Sequence, residues 1–437
     1  MHNRRNRSDV SIGTVATLVV LALVIIGCAV LFPKLLGHVE QRVSAQQVSV
    51  ALENSFHAFS DSVLAQQTTT AATVAATAPP AVATATPEAA ATPVPVQKLT
   101  ITAAGEISID RTIQSACTND TGYNFGFLFE QLKSRLTSDI NLATLQNIVI
   151  PEEQLTDTNM PSAALTGIAS GGFNVLCTGF YGALDGGLDG LRSTLSLIEQ
   201  NGMLPYGTYL SADDRTRVVT MDVNGLTVAF LSFQGELSAT GKKATTKEEQ
   251  SYVFAQLTLP AITTEINAAR AAGAKIVIVS LCWGRENATE PTKLQTELAQ
   301  GIAAAGADII LGTNPGVLQT VDILTSIRDD GTQRQTLCAY SLGSIVNSDR
   351  TDRTVLTSIL LHMNLKYNLQ TDVLTFETIT YTPVYIWRGK YNGDTAFQPV
   401  ISNADPPDYM NEDQQGVMGR SLNDVRRILT NSLVQER

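Results

Sequence analysis

Apolar and polar positions along this chain follow three regimes. Residues 10–32 carry no charged side chain and read as one apolar run. Residues 68–97 are an Ala/Thr/Pro tract without periodicity. From Lys98 onward, short β-type apolar runs alternate with segments whose apolar residues recur every three or four positions. Such alternation predicts layered α/β architecture. Strands are expected at 99–103, 138–147, 172–177, 276–281, 309–311 and 337–342. Helices are expected at 127–136, 163–171, 191–201, 259–273 and 291–305. Asn224-Gly225 separates two alternating runs, 217–223 and 226–233, and predicts a hairpin. Residues 356–365 and 374–386 read as paired strands. The polar stretch 238–250 reads as a surface loop.

The first regime sets the organisation. At about 1.5 Å per residue, a helix over 10–32 spans roughly a hydrocarbon core. Arg4, Arg5 and Arg7 precede it and predict a cytoplasmic N-terminus with the remainder extracytoplasmic. The run is long for a cleaved signal and lacks a clear A-x-A site. Cys28 sits in a loose lipobox, Ile25-Ile26-Gly27-Cys28, but apolar residues continue past it. The reading is a cytoplasmic tail (1–9), a transmembrane anchor (10–32), a juxtamembrane helix (33–66) and a flexible linker (67–97). An extracytoplasmic domain (98–404) and a polar tail with a helix near 421–433 (405–437) follow. The net charge of −11, without Lys/Arg clusters, argues against nucleic acid as a partner.

Three strand ends concentrate the candidate chemistry: Cys282-Trp283-Gly284-Arg285-Glu286, Asn314-Pro315-Gly316-Val317 and Tyr340-Ser341-Leu342-Gly343. Loops at the carboxyl ends of strands are where α/β proteins place their sites. These segments resemble the HWGxE, GxHPHV and YSLGNF signatures of the CapA family, the poly-γ-glutamate capsule proteins. Gly105-Glu106 with Arg111 resembles that family's GD…R, and 138–147 its ADLxxxNLE strand, with Thr144 and Gln146 at the Asn and Glu positions. Residues 179–191 keep the spacing of ANNHxxDxGxxGL, with Asp185 matching and Phe180-Tyr181-Gly182 in place of NNH. The resemblance covers about residues 99–346. It implies a metallophosphatase-like four-layer α/β/β/α sandwich, and a role in synthesis, export or tethering of a surface polymer. Surface-polymer or cell-wall ligands and polymer-synthase membrane proteins are the implied partners.

The histidines of that pattern are missing. Gly182, Cys282, Asn314 and Gly316 occupy their positions, and His362 is the one His after residue 57. Two-metal chemistry needs several His and carboxylates around cations about 3.5–4 Å apart. No cofactor is expected, and catalytic residues are not assigned. The alternative is a residual hydrolase holding one weakly bound divalent cation on Glu106, Asp185 and Glu286. The pocket candidates are Glu106, Arg111, Gln146, Tyr181, Asp185, Cys282, Trp283, Arg285, Glu286 and Asn314. Trp283 reads equally as core, Glu106 equally as a solvated loop acid, and Arg285–Glu286 as a helix-start ion pair. His362, between Leu361 and Met363, reads as a structural His. Cys117, Cys177, Cys282 and Cys338 allow three pairings, and a Cys177–Cys282 disulfide is a hypothesis.

Overall fold

The computed structural model describes residues 96–156, 159–328 and 331–437. The expected tail, anchor, juxtamembrane helix and linker lie outside them. Among the described residues, no helix is long and apolar enough to cross a membrane.

The chain begins with β1 (Val96–Ile107), α1 (Arg111–Ala116) and β2 (Ile140–Leu145), then α2 (Ala163–Ser170), β3 (Val175–Cys177), α3 (Gly187–Gln200) and β4 (Leu204–Tyr206). The hairpin β5 (Val219–Val223) and β6 (Leu226–Gln234) leads through α4 (Ala239–Ala244) and α5 (Lys247–Tyr252) to β7 (Ala255–Gln256). Then come α6 (Leu259–Ala271), β8 (Ile276–Cys282), α7 (Lys293–Ala305), β9 (Ile309–Thr313), β10 (Val321–Ile327), β11 (Gln333–Ala339) and β12 (Ser344–Val346). The last elements are β13 (Thr357–Asn368), β14 (Val373–Tyr391), β15 (Asp394–Ile401), α8 (Glu412–Ile428) and β16 (Val434–Glu436).

Two mixed sheets result. The first has the order β15-β14-β13-β1-β2-β3-β4, with β12 beside β1 and β16 beside β14. The second has the order β7-β6-β8-β9-β11-β10, with β5 on β6. The two-residue alternation of strands decides what each face covers. Val228 and Phe230, Ile276 and Ile278, and Ile309 and Leu311 turn inward and meet Ile101, Ala103 and Leu142 of the first sheet. Ala229, Leu231, Val277, Val279 and Ile310 turn outward onto Ile262, Ile266, Ala299 and Ile302 of α6 and α7. On the far side of the first sheet, Ala143, Leu145 and Leu176 meet Leu165 and Ile168 of α2. Helices thus flank two face-to-face sheets, the mixed α/β layering expected. Strands covered on both faces read as continuous apolar runs, and each fully buried Leu or Ile contributes roughly 1.5–3 kcal/mol.

Several expectations change. Residues 238–250 form α4 and α5, not a loop, because Ser238 caps the first and Thr246 with Glu249 makes a capping box on the second. The helix expected at 127–136 is one turn, Gly126–Phe129, followed by a 3₁₀ turn, Glu130–Leu132, with no side-chain cap on the first. The terminal helix begins at Glu412, where Asn411 and Gln414 form a capping box. Beyond that helix, β16 pairs with β14 in parallel, Ile379 opposite Val434.

Candidate functional site

The carboxyl ends of β1, β2, β3, β8 and β9 lie side by side. In parallel register Glu106 is opposite Thr144 and Ser344, Thr144 is opposite Cys177, and Cys282 is opposite Thr313. Glu106 anchors this end. β1 continues through it, because Glu106 N–H donates to the Gly343 carbonyl at 3.0 Å. It is therefore a strand residue, 7% exposed, and not the solvated loop acid that was one expectation.

Its carboxyl group is bonded out by the protein. Thr313 Oγ1 donates to Oε1 at 2.8 Å and the Asn314 N–H at 2.6 Å. Ser344 Oγ reaches Oε2 at 3.4 Å, and the Gly316 backbone N–H also faces the carboxyl group. Burial raises the Glu106 pKa above 4.5, against the pull of these donors. No cation is needed to hold the loops in place: one carboxyl ties β1, the β9 turn and β12 together.

The other candidates divide. Gln146 Nε2 donates to Thr313 Oγ1 at 3.3 Å and so joins Glu106. Asn314 sits at φ 91°, a left-handed conformation that Asn tolerates better than most residues. Its side-chain amide holds the Trp283 and Gly284 carbonyls, each at 3.3 Å. Cys282 is half-buried beside Glu106, and the Tyr181 N–H faces its sulfur; burial pushes its thiol up to about 12. Tyr181 itself is 49% exposed. Trp283 takes its core alternative: it stacks on Tyr340 with ring centroids 5.8 Å apart and donates Nε1–H to the Tyr340 carbonyl.

Asp185 stands apart. It accepts from Ser238 Oγ, the same oxygen that caps α4, so it braces a helix start. Arg285 and Glu286 are exposed in the turn after β8 and form no helix-start pair, since α7 begins only at Lys293. Arg111 is exposed at the first residue of α1. Among the described residues, no three His, Cys, Asp or Glu are grouped to hold an ion. With Glu106 saturated by protein donors and Asp185 bonded to Ser238, the expected alternative donor set is not assembled, and the residues present do not fit a two-metal centre.

His362 bridges strands. Its Nδ1 lies 2.9 Å from Thr102 Oγ1 and its Nε2 2.9 Å from Thr382 Oγ1, the structural role expected. The four described cysteines are free thiols, which corrects the Cys177–Cys282 disulfide. Cys177 donates instead to Ser232 Oγ at 3.4 Å. Sequence reasoning missed Thr313 and Ser344. Both are hydroxyl residues next to the conspicuous loop positions, and only the strand register brings them to Glu106.

Fold and site define a two-sheet α/β protein with a polar strand-end cluster held by one buried carboxyl. The model of the bacterial capsule synthesis protein PGA_cap family matches residues 100–349, and the chain belongs to that family. Capsule biosynthesis protein CapA of Bacillus anthracis is 28% identical over 281 residues, 62% of this chain and 65% of that protein. PGA biosynthesis protein CapA of Bacillus subtilis (strain 168) is 30% identical over 200 residues, 45% of this chain and 48% of that protein. The chain thus spans less than two thirds of the length of either relative in these matches. Among solved structures, the NAD nucleotidase NadN of Haemophilus influenzae aligns with TM-score 0.41 and 11% identity over 78% of this chain and 57% of that one. The calcineurin-like phosphoesterase YfkN from Bacillus subtilis aligns with TM-score 0.40 and 12% identity over 76% and 98%.

Proposed function

We propose that this chain is a single-pass membrane protein with an extracytoplasmic domain, serving biosynthesis, export or anchoring of a capsular or surface polymer of the poly-γ-glutamate type. It acts by binding or assembly, without two-metal catalysis, together with polymer-synthase partners in the membrane. Family membership and the capsule-biosynthesis names of the two relatives support the polymer role. The observation that carries the binding role is Glu106, whose oxygens are taken by Thr313, Asn314, Gly316 and Ser344. A carboxyl so bonded serves as a fixed floor, while the Gln146 and Asn314 amide oxygens and the Tyr181 hydroxyl offer neutral polar groups. A γ-linked glutamate polymer repeats one amide and one carboxylate. The amide suits those neutral groups, and Arg111 and Arg285 supply charge for the carboxylate.

The test uses the full-length protein in detergent, with poly-γ-glutamate as ligand. Arg111→Ala combined with Arg285→Ala should weaken binding about tenfold, roughly 1.4 kcal/mol. Undiminished binding removes the pocket from the reading. Stoichiometric divalent metal together with phosphodiester or peptide turnover would replace the reading with the hydrolase.

A further inference from the structure

A second polar cluster lies at the opposite ends of the same strands. Lys275 precedes β8, Asp308 precedes β9, Arg334 lies in β11, and Arg328 follows β10. Arg270, in the last turn of α6, donates Nη2–H to the Gly306 carbonyl at 2.8 Å and to Asp308 Oδ2 at 2.5 Å. Asp308 also accepts the Val277 N–H at 2.8 Å, so its Oδ2 is already shared. Arg334 approaches the same Gly306: a Cβ added there would lie 2.6 Å from its Nη1. Among the described residues, the Arg328 side chain donates to the Asp372 backbone carbonyl, at 3.3 Å. The Asp372 side chain is taken by Lys275 at 2.8 Å and by the Tyr367 hydroxyl at 3.0 Å.

Arg270 also donates Nη1–H to the Ala274 and Lys275 carbonyls, at 3.2 and 2.8 Å, so the under-partnered arginines are Arg328 and Arg334. The Nε atoms of Arg270, Arg328 and Arg334 are all buried without a hydrogen-bond partner. Among the described residues, no ion pair joins Arg328 or Arg334, and the one carboxylate paired with Arg270 is Asp308. Burial lowers the Arg334 pKa, and the neighbouring Arg270 and Arg328 charges lower it further, with Asp308 opposing. Half-buried guanidiniums short of acceptors, as at Arg328 and Arg334, are costly, and a planar fork of donors fits an oxyanion. Asp329 and Asp330, which follow Arg328 in the sequence, lie outside the described residues.

We propose that Arg328 and Arg334, with Arg270 and Lys275 at the margin, form an oxyanion-binding site at the amino-terminal ends of β8 and β9, separate from the Glu106 cluster. Its ligand class is a single phosphate or carboxylate group, free or carried on a larger molecule. The site is independent of the polymer-binding reading, and its test can succeed or fail alone.

The experiment titrates the full-length protein in detergent with inorganic phosphate in one arm and glutarate in the other, at constant ionic strength held with chloride. Wild type should show saturable binding by calorimetry and a saturable rise in melting temperature in at least one arm. The arm that responds identifies the phosphate or the carboxylate source. Arg334→Gln should weaken that binding at least tenfold, and Arg328→Gln should do so even if Arg334→Gln does not fold. No saturable binding by wild type in either arm overturns the site. Unchanged affinity in whichever of these variants fold overturns it equally.

Discussion

At the residue scale, two buried groups give the domain opposite responses to pH. Burial lowers the His362 pKa from 6.5 to about 4, and the Arg437 and Arg135 charges lower it further. As pH falls through that window, the unfolded chain binds a proton that the folded chain refuses. Stability is therefore lost on acidification, by up to about 3 kcal/mol once pH is below both values. Glu106 works the other way. Its raised pKa means the folded chain keeps a proton above pH 4.5 that the unfolded chain has released, so stability falls as pH rises through its shifted value. Urea unfolding between pH 4 and 8 should show both slopes. His362→Gln should flatten the acid side, and Glu106→Gln should flatten the decline above pH 4.5. Slopes unchanged in both variants would contradict these assignments. Little of this was legible in the sequence. The resemblance to the family's motifs implied Glu106, Gln146, Cys282 and Asn314 as site residues, and periodicity placed Cys282 and Asn314 at strand ends. The donors Thr313 and Ser344 come from strand register across more than 200 residues, which no local pattern encodes.

At the element scale, glycines set how closely the strand ends approach. A Cβ on Gly312 would fall 1.9 Å from the Tyr340 carbonyl oxygen and 2.3 Å from Trp283 Nε1. On Gly105 it would fall 1.7 Å from the Gly343 oxygen. The Tyr340 oxygen accepts the Trp283 indole N–H and the Gly343 oxygen the Glu106 N–H, so neither can yield without losing its bond. Gly312→Ala should thus cost about 3 kcal/mol or more, read as a lowered urea midpoint. A midpoint within experimental error of wild type would show that β9 and β11 separate easily. Strands were readable because two-sided burial writes them as apolar runs. Helices were readable where an apolar face repeats, as in α6 and α7. The short helices α4 and α5 have no such face; their capping residues Ser238 and Thr246 were the available signal. The start of α8 was likewise written in Asn411 and Gln414, three residues apart, ahead of a weakly apolar segment.

At the scale of the whole molecule, the end of the chain closes the first sheet. Val434 is buried against the inner core and pairs with Ile379, and Arg426 holds Glu436 at 2.7 Å. Removing residues 429–437 takes away β16 and two core side chains, Leu429 and Val434. The truncated domain should lose about 2–4 kcal/mol, measured by thermal unfolding. An unchanged melting temperature would show the strand to be an ornament of the sheet.

The position of β1 has a kinetic consequence. It is the first described strand, yet it sits near the middle of its sheet, with Ala103 opposite Leu142 on one side and Leu361 on the other. Its second neighbour is some 260 residues later in the chain. The loop that must close before the pair forms is correspondingly long, and folding dominated by such distant pairings is slow. Until β13 arrives, β1 presents an open, apolar edge, the kind of surface on which aggregation begins. A domain built this way depends on protection of its first strand during synthesis, and dilution from denaturant should recover it best at low protein concentration.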